Sequence, residues 1–361
     1  MRSQQVAEYL WWDREELKKL IQEYRGIGSA TLKATYKSLD LWEAKVQRFD
    51  SQIFNLAKDT LLANRVINSL DRVGAIQLNI AEVRTKEIIR TTQNDWTEWF
   101  LKKGYLGFDS LTHPAVEIVP DTNFIMRRYG SGLLRRLGTD SFHKLRFRIP
   151  NLVILEIEAI YNRTNKKVID LQAKPKLEAK EEQELTKALF DNKEALIATK
   201  ELMFLREKGA NIIESNLEGV IRNFSENSGK AFVDMYIRKE IRDALKSQNL
   251  NVQFSTCDLM NALSAVAEGI PTMYFSRLPL DKFYLSTQYD TCLEQIADLI
   301  LDTTTLFGEI TLTASYSLGT DTKVLKGNWI GWTIEDLLND RIIEERPYDP
   351  SKTGFNPDFS P

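Results

Sequence analysis

The stretch VEIVPDTNFIMRRY, residues 116–129, decides how the chain is read. An alternating apolar run stops at Pro120, Asp121 follows at once, and Asn123 comes two residues later before apolar character resumes. The pattern predicts a buried strand giving way to a helix, with Asp121 at the junction. An Asp there has two uses. It can accept hydrogen bonds from the first free amides of the helix, or it can hold a ligand at the C-terminal edge of a sheet.

Three more acids stand at comparable places. RIPNLVILEIEAI, residues 148–160, sets Glu156 six residues after Pro150, behind an uncharged apolar run. GKAFVDMYIRKEI, residues 229–241, puts Asp234 at the start of an amphipathic helix, and VQFSTCDLMNAL, residues 252–263, puts Asp258 where a buried strand yields to a helix. Between residue 117 and about residue 280, short apolar strands alternate with helical stretches, which predicts an α/β domain with a mostly parallel sheet. In such a sheet the strand ends share one edge, so Asp121 and Asp258 are expected to face each other there, with Glu156 and Asp234 entering on helices.

Four carboxylates gathered without a counter-charge repel one another and raise one another's pKa values, so the cluster calls for hard cations. Oxygen ligands without histidine point to Mg²⁺ or Mn²⁺, as one or two ions, rather than zinc. Such ions suit phosphodiester hydrolysis, in which they acidify a water and neutralise the leaving oxygen.

The order VPDTNFI, IPNLVILEIE, FVDMYI, NVQFSTCDLMNALSAVAEGIPTMYF resembles a PIN domain, a nuclease family with a ring of acids on a Rossmann-like α/β/α fold. The resemblance spans roughly residues 113–280. It implies that Asp121, Glu156, Asp234 and Asp258 are the catalytic, metal-holding acids, with Asp243 the runner-up for the third. Asn123 and Thr256 stand where the family has supporting polar residues, and Gly269-Ile270-Pro271 matches the lead into the last strand. The activity implied is endonucleolytic cleavage, of RNA in preference to DNA, leaving a 5′-phosphate and a 3′-hydroxyl. Two other readings remain: a non-catalytic PIN-like scaffold that binds nucleic acid or protein, and a DNA nuclease.

A basic segment follows the first acid. Residues 126–148 carry Arg127, Arg128, Arg135, Arg136, Lys144, Arg146 and Arg148 against one acid, Asp140. Gly130 and Gly132 are expected to make it a mobile flap that grips phosphates, with Tyr129, Phe142 and Phe147 stacking on bases; the alternative is a solvated helix face paired with nearby acids.

Outside residues 113–280, residues 1–110 read as all-helical. Leu32, Leu39, Val46, Ile53 and Thr60 recur at sevens, as do Thr35, Trp42, Phe49, Leu56 and Ala63, which predicts a long helix with a heptad seam and a helical or homo-oligomeric partner. Residues 172–209 read as a charged helical insertion with Leu185, Leu189, Leu196 and Met203 on one face. Residues 281–345 read as a small α+β extension of helix, β-hairpin and helix, and residues 346–361 as an irregular tail.

Composition bounds the rest. The chain has 361 residues, a net charge of -3, two cysteines and two histidines, which excludes a disulfide framework and the usual zinc ligand sets. Neither a signal-peptide pattern nor an apolar run near the ~20 residues of a membrane span occurs, so a cytoplasmic setting without membrane partners is expected. Cys257 reads as packing rather than a nucleophile, and Glu158, about 200° around the helix from Glu156, as surface. No phosphate-loop or dinucleotide fingerprint is present.

Overall fold

The computed structural model describes residues 12–26, 28–47, 51–73, 79–84, 87–91, 116–137, 145–213, 230–248, 252–276, 282–284, 289–327 and 344–347. The chain divides into two compact units. Residues 1–76 and 279–361 build the first; residues 77–278, inserted between those two halves in sequence, build the second.

The first unit begins with α1 (Arg14–Arg25), capped by Asp13 and Glu16 in a reciprocal capping box. Strands β1 (Ala30–Tyr36), β2 (Leu39–Val46) and β3 (Gln52–Asn55) and helix α2 (Thr60–Arg72) follow. The expected heptad helix is therefore absent. Ala30, Leu32 and Ala34 are buried while Thr31, Lys33 and Thr35 alternate with them, a period of two that overrides the sevenfold recurrence. Lys37 and Ser38 both hold positive φ, 46° and 64°, which turns the chain back within two residues as in a type I′ hairpin. Leu39, a member of the supposed seam, is 51% exposed.

The second unit opens with a hairpin, β4 (Asn79–Arg84) and β5 (Glu87–Thr91), also inside the region read as helical. Then come β6 (Val116–Pro120), α3 (Thr122–Met126), α4 (Tyr129–Leu137), β7 (Leu145–Pro150), α5 (Asn151–Gln172), α6 (Ala179–Glu207), β8 (Asn211–Ile213) and α7 (Lys230–Gln248). β9 (Val252–Thr256), α8 (Leu259–Ala267) and β10 (Thr272–Ser276) complete it. Strands β8-β7-β6-β9-β10 run parallel in that order, and β4 then β5 continue the sheet antiparallel beside β10. This is mixed α/β architecture around a five-stranded parallel sheet. From β6 the order runs to β7 and β8 on one side and to β9 and β10 on the other, so the crevice between β6 and β9 is the topological switch point. The core beneath includes Ile118, Phe124, Phe147, Leu152, Ile157, Ile237, Phe254 and Phe275.

The sequence boundary at 113 thus moves to 77, and the α5–α6 hairpin is more than a solvated insertion. Leu185, Leu189, Leu196 and Met203 are only partly buried, whereas Ala195, Ala198, Leu202 and Leu205 are buried together with Lys193, Glu194, Lys200 and Glu201.

Returning to the first unit, β11 (Lys282–Tyr284), α9 (Tyr289–Phe307), β12 (Glu309–Tyr316), β13 (Gly319–Lys326) and β14 (Glu344–Pro347) complete it. Its antiparallel sheet has the order β11-β3-β2-β1-β12-β13-β14. The C-terminal segment is thus one half of this sheet rather than a separate extension. Its hairpin turns at Ser317–Leu318, just before the Gly-Thr-Asp expected there, and Arg346-Pro347 belongs to β14 rather than to the tail. The helix expected near residue 336 and the tail from 348 lie outside the described residues.

The two halves repeat one another. ATLKATY in β1 and ITLTASY at 310–316 in β12 share Thr, Leu, Ala and Tyr in register, and each strand follows a helix and enters a two-residue turn. β1 and β12 pair antiparallel with Leu32 opposite Ala314, Ala34 opposite Leu312 and Lys33 opposite its own counterpart Thr313. That reciprocity puts a local two-fold axis through the Lys33–Thr313 pair. No tandem period marks this repeat, because its copies lie at opposite ends of the chain. A buried Arg72–Asp302 pair ties α2 to α9 through two bonds, 2.8 Å from Nε and 2.7 Å from Nη2.

Candidate functional site

The site is at the switch point. β6 ends at Pro120, opposite Ser255 of β9, and the Asp121 amide donates to the Ser255 carbonyl at 3.0 Å, so the ladder holds the first acid in place. Asp121 then does both things its position offered. Oδ1 accepts from the Phe124 amide at 2.7 Å, capping α3, while Oδ2 accepts from the Thr256 hydroxyl at 2.5 Å. Thr256 Oγ1 also accepts from the Asp258 amide at 3.0 Å, and Asp258 caps α8 through Oδ1. Thr256 therefore orients the acids themselves, and two neighbouring parallel strands deliver Asp121 and Asp258 to one edge.

The other two acids come from helices. Glu156, half-buried on α5, accepts from the Thr122 hydroxyl directly after Asp121. Asp234, on the first turns of α7, accepts from Asn261 Nδ2 at 3.2 Å. Asn261 is a node: its amide donates to Asp258 Oδ1 at 3.3 Å and its Oδ1 accepts from Arg238 Nη1 at 2.6 Å. Arg238 is anchored in turn by Glu268 at 2.8 Å. Asp243 is exposed and lies nine residues further along α7, roughly 13 Å of helix rise away, so of the two it is Asp234 that is bonded to Asn261 beside Asp258.

Electrostatics records the gathering. Burial pushes the Asp121 carboxyl up to about 7; hydrogen bonds from Thr256 and Phe124 pull it down, and the charges of Asp234 and Glu156 push it up again. A carboxylate this deep, facing two others, is where a cation would relieve the repulsion. Among the described residues, no three acidic, histidine or cysteine side chains converge closely enough to form a closed ligand set. The donors suit an ion of the Mg²⁺ type, which takes one or two carboxylates and completes its shell with water and phosphate.

Neither a protein-family model, nor a curated protein, nor a solved structure matches this chain. Its site is therefore read from its own geometry.

Over its described residues the basic segment does not form the expected flap; residues 138–144 lie outside them. Residues 129–137 are helix α4, and Gly130 serves close packing: a Cβ there would stand 2.9 Å from Leu205 Cδ2 on α6. Arg128, at φ 56°, faces the fully buried Glu201, 3.7 Å away, and Glu201 Oε1 accepts from the Ser131 amide at 2.7 Å. Arg148 pairs with Glu117 between β7 and β6. Arg146 is exposed but sits near the start of β7, at the sheet edge away from Asp121. Arg127 is half-buried just after α3; the Arg135 and Arg136 side chains and Lys144 fall outside the described residues.

Tyr129 and Phe147 are core residues, packed with Phe124 and Phe275, so neither stacks on a base; Phe142 lies outside the described residues. Cys257 packs against the core and Glu158 is exposed, as read from the sequence. The side chain of half-buried Asn123 makes no hydrogen bond to the four acids. Besides Thr256, the polar side chains that touch them are Thr122 and Asn261, which the sequence does not single out. Thr122 hides as the first helical residue after a cap, and Asn261 is visible only as a polar side chain on the buried side of α8. No described helix is long and apolar enough to cross a membrane.

Proposed function

We propose that the chain is a divalent-metal-dependent endonuclease of PIN-like design, acting on RNA, with Asp121, Glu156, Asp234 and Asp258 as its acidic site. One observation carries the reading: Asp121 is buried at the switch point, coupled to Asp258 through Thr256 and electrostatically to Asp234 and Glu156. A buried carboxylate facing two others is unfavourable for stability alone, and such arrangements concentrate at functional sites.

In this reading Asp121, Glu156, Asp234 and Asp258 would serve a hydrated Mg²⁺ or Mn²⁺ together, one or two as direct ligands and the others through water. When bound, such an ion supplies an acidified water and charge neutralisation at phosphate. The chain's own part is positioning. Thr256 fixes Asp121 and the Asp258 amide; Asn261, braced by Arg238 and Glu268, fixes Asp234 relative to Asp258. The resemblance to PIN nucleases supplies the choice of RNA; the internal pairing of Arg128 and Arg148 leaves fewer cations for phosphate than the sequence promised.

Cleavage of labelled single-stranded RNA and DNA with Mn²⁺, Mg²⁺ or EDTA, comparing wild type with Asp121→Asn, tests the proposal. Metal-dependent cutting lost in the variant supports it. Equal activity in both proteins refutes the assigned site, and binding without cutting under every metal condition returns the non-catalytic scaffold.

A further inference from the structure

Among the described residues of the second unit, six large apolar side chains are exposed: Ile169, Ile212, Met235, Leu259, Met260 and Leu263. Four of them lie at the acids. Met235 follows Asp234 directly on α7, and Leu259 and Met260 follow Asp258 directly on α8, with Leu263 one turn further. Met260 is 69% exposed and Met235 45%. The Asn261–Asp234 bond joins the two helices at this place. The inner side of α8 carries Asn261, Ala262 and Ala265, all buried, so its apolar residues are divided between core and rim. Apolar side chains gathered at one exposed place mark a contact surface.

We infer that Met235, Leu259, Met260 and Leu263 form a ledge that takes an unpaired nucleobase of the strand being cut. The inference rests on the nuclease reading above and deepens it, because it makes the substrate single-stranded near the scissile phosphate. Three observations select this occupant. The ledge is continuous with the acidic site, one residue from two of its carboxylates. It offers four side chains, too few for a protein interface, which takes about 800 Å² from each partner. Of the aromatic residues expected to stack on bases, Tyr129 and Phe147 are in the core, while thioethers are polarizable and contact aromatic faces well. A base inside a duplex presents only its edges, so an open face implies an unstacked nucleotide.

The test is a two-way comparison. Wild type and a Met235→Ser/Met260→Ser variant are assayed with Mn²⁺ on one single-stranded RNA and on copies carrying a single abasic site at each position around the cleavage point. Both changes are at exposed positions, and unfolding temperatures confirm that the fold is kept. The ledge predicts that the variant loses about tenfold in kcat/KM, in line with stacking energies per base. It also predicts that one abasic position costs the wild type a similar factor and costs the variant almost nothing further. Equal rates, or equal abasic sensitivity in both proteins, overturn the ledge and leave the acidic site standing. A wild type that cuts nothing overturns the nuclease reading and the ledge with it. A particle mass that falls from dimer to monomer in the variant gives the patch to a second copy of the chain and overturns base binding.

Discussion

Thr256 donates its hydroxyl proton to Asp121 across the gap between two parallel strands, at 2.5 Å, while accepting the amide of Asp258 at 3.0 Å. One fully buried side chain thus sets the distance between the first and last acids of the site.

Thr256→Val keeps the shape and removes both bonds. It leaves the Asp121 oxygen and the Asp258 amide without that partner in a buried place, and a stability loss of about 1–3 kcal/mol is expected from chemical denaturation. Metal-dependent cleavage is expected to fall with it, and Thr256→Ser, which keeps the hydroxyl, to restore most of both.

The raised carboxyl of Asp121 makes a pH prediction. Its ordinary value is 3.8 and its folded value about 7, so between those limits the native state holds a proton that the unfolded chain has released. The stability contribution is full below pH 3.8, falls as pH rises and is gone above about 7. In EDTA, denaturant midpoints are expected to decline across that window; in Asp121→Asn this component of the slope is absent. Added Mn²⁺ should raise the midpoint of the wild type most at the alkaline end. A wild-type slope unchanged by the substitution would show that Asp121 is not the group responsible.

The pair Arg72–Asp302 is buried on both sides, with side-chain exposures of 1% and 2%. Removing one partner strands a charge. Asp302→Ala should cost roughly 3–5 kcal/mol in the first unit, and Arg72→Met with Asp302→Leu much less, because no charge is then left behind. Thermal unfolding of the three proteins decides it.

Gly130 lies against Leu205 and Glu201. Gly130→Ala should therefore destabilise by about 1–3 kcal/mol despite the better helix propensity of alanine, since the methyl group would have to displace the fully buried Leu205 and Glu201 side chains. If the site depends on the segment after α3, cleavage should weaken as well. A neutral or stabilising result would show that α4 and α6 separate easily.

The meeting of Asp121 and Asp258 was legible because each follows a short buried strand, and parallel strands bring their ends together whatever the intervening lengths. Asp121, Asp258 and the strands carrying them follow from that rule. The N-terminal region was not, and Leu32 to Ile53 shows why. Spacing by sevens passes over the Lys37–Ser38 turn without registering it, whereas the alternation of Ala30, Leu32 and Ala34 with Thr31, Lys33 and Thr35 is the pattern that burial follows. The arginines of the basic segment misled differently. Their partners, Glu201 and Glu117, are acids that local sequence does not associate with them, since Glu117 is a neighbour only through the sheet and Glu201 only through the α6 packing.

Four acids that serve one hydrated cation, only one or two of them as direct ligands, must each affect its binding. Mn²⁺ titration followed by electron paramagnetic resonance, in wild type and in Asp121→Asn, Glu156→Gln, Asp234→Asn, Asp258→Asn and Asp243→Asn, tests it without needing the substrate. Saturable binding is expected in wild type and in Asp243→Asn, and at least about tenfold weaker binding in Asp121→Asn, Asp234→Asn and Asp258→Asn, with a smaller loss in Glu156→Gln. Binding unchanged by Asp121→Asn, or lost through Asp243→Asn alone, would contradict it.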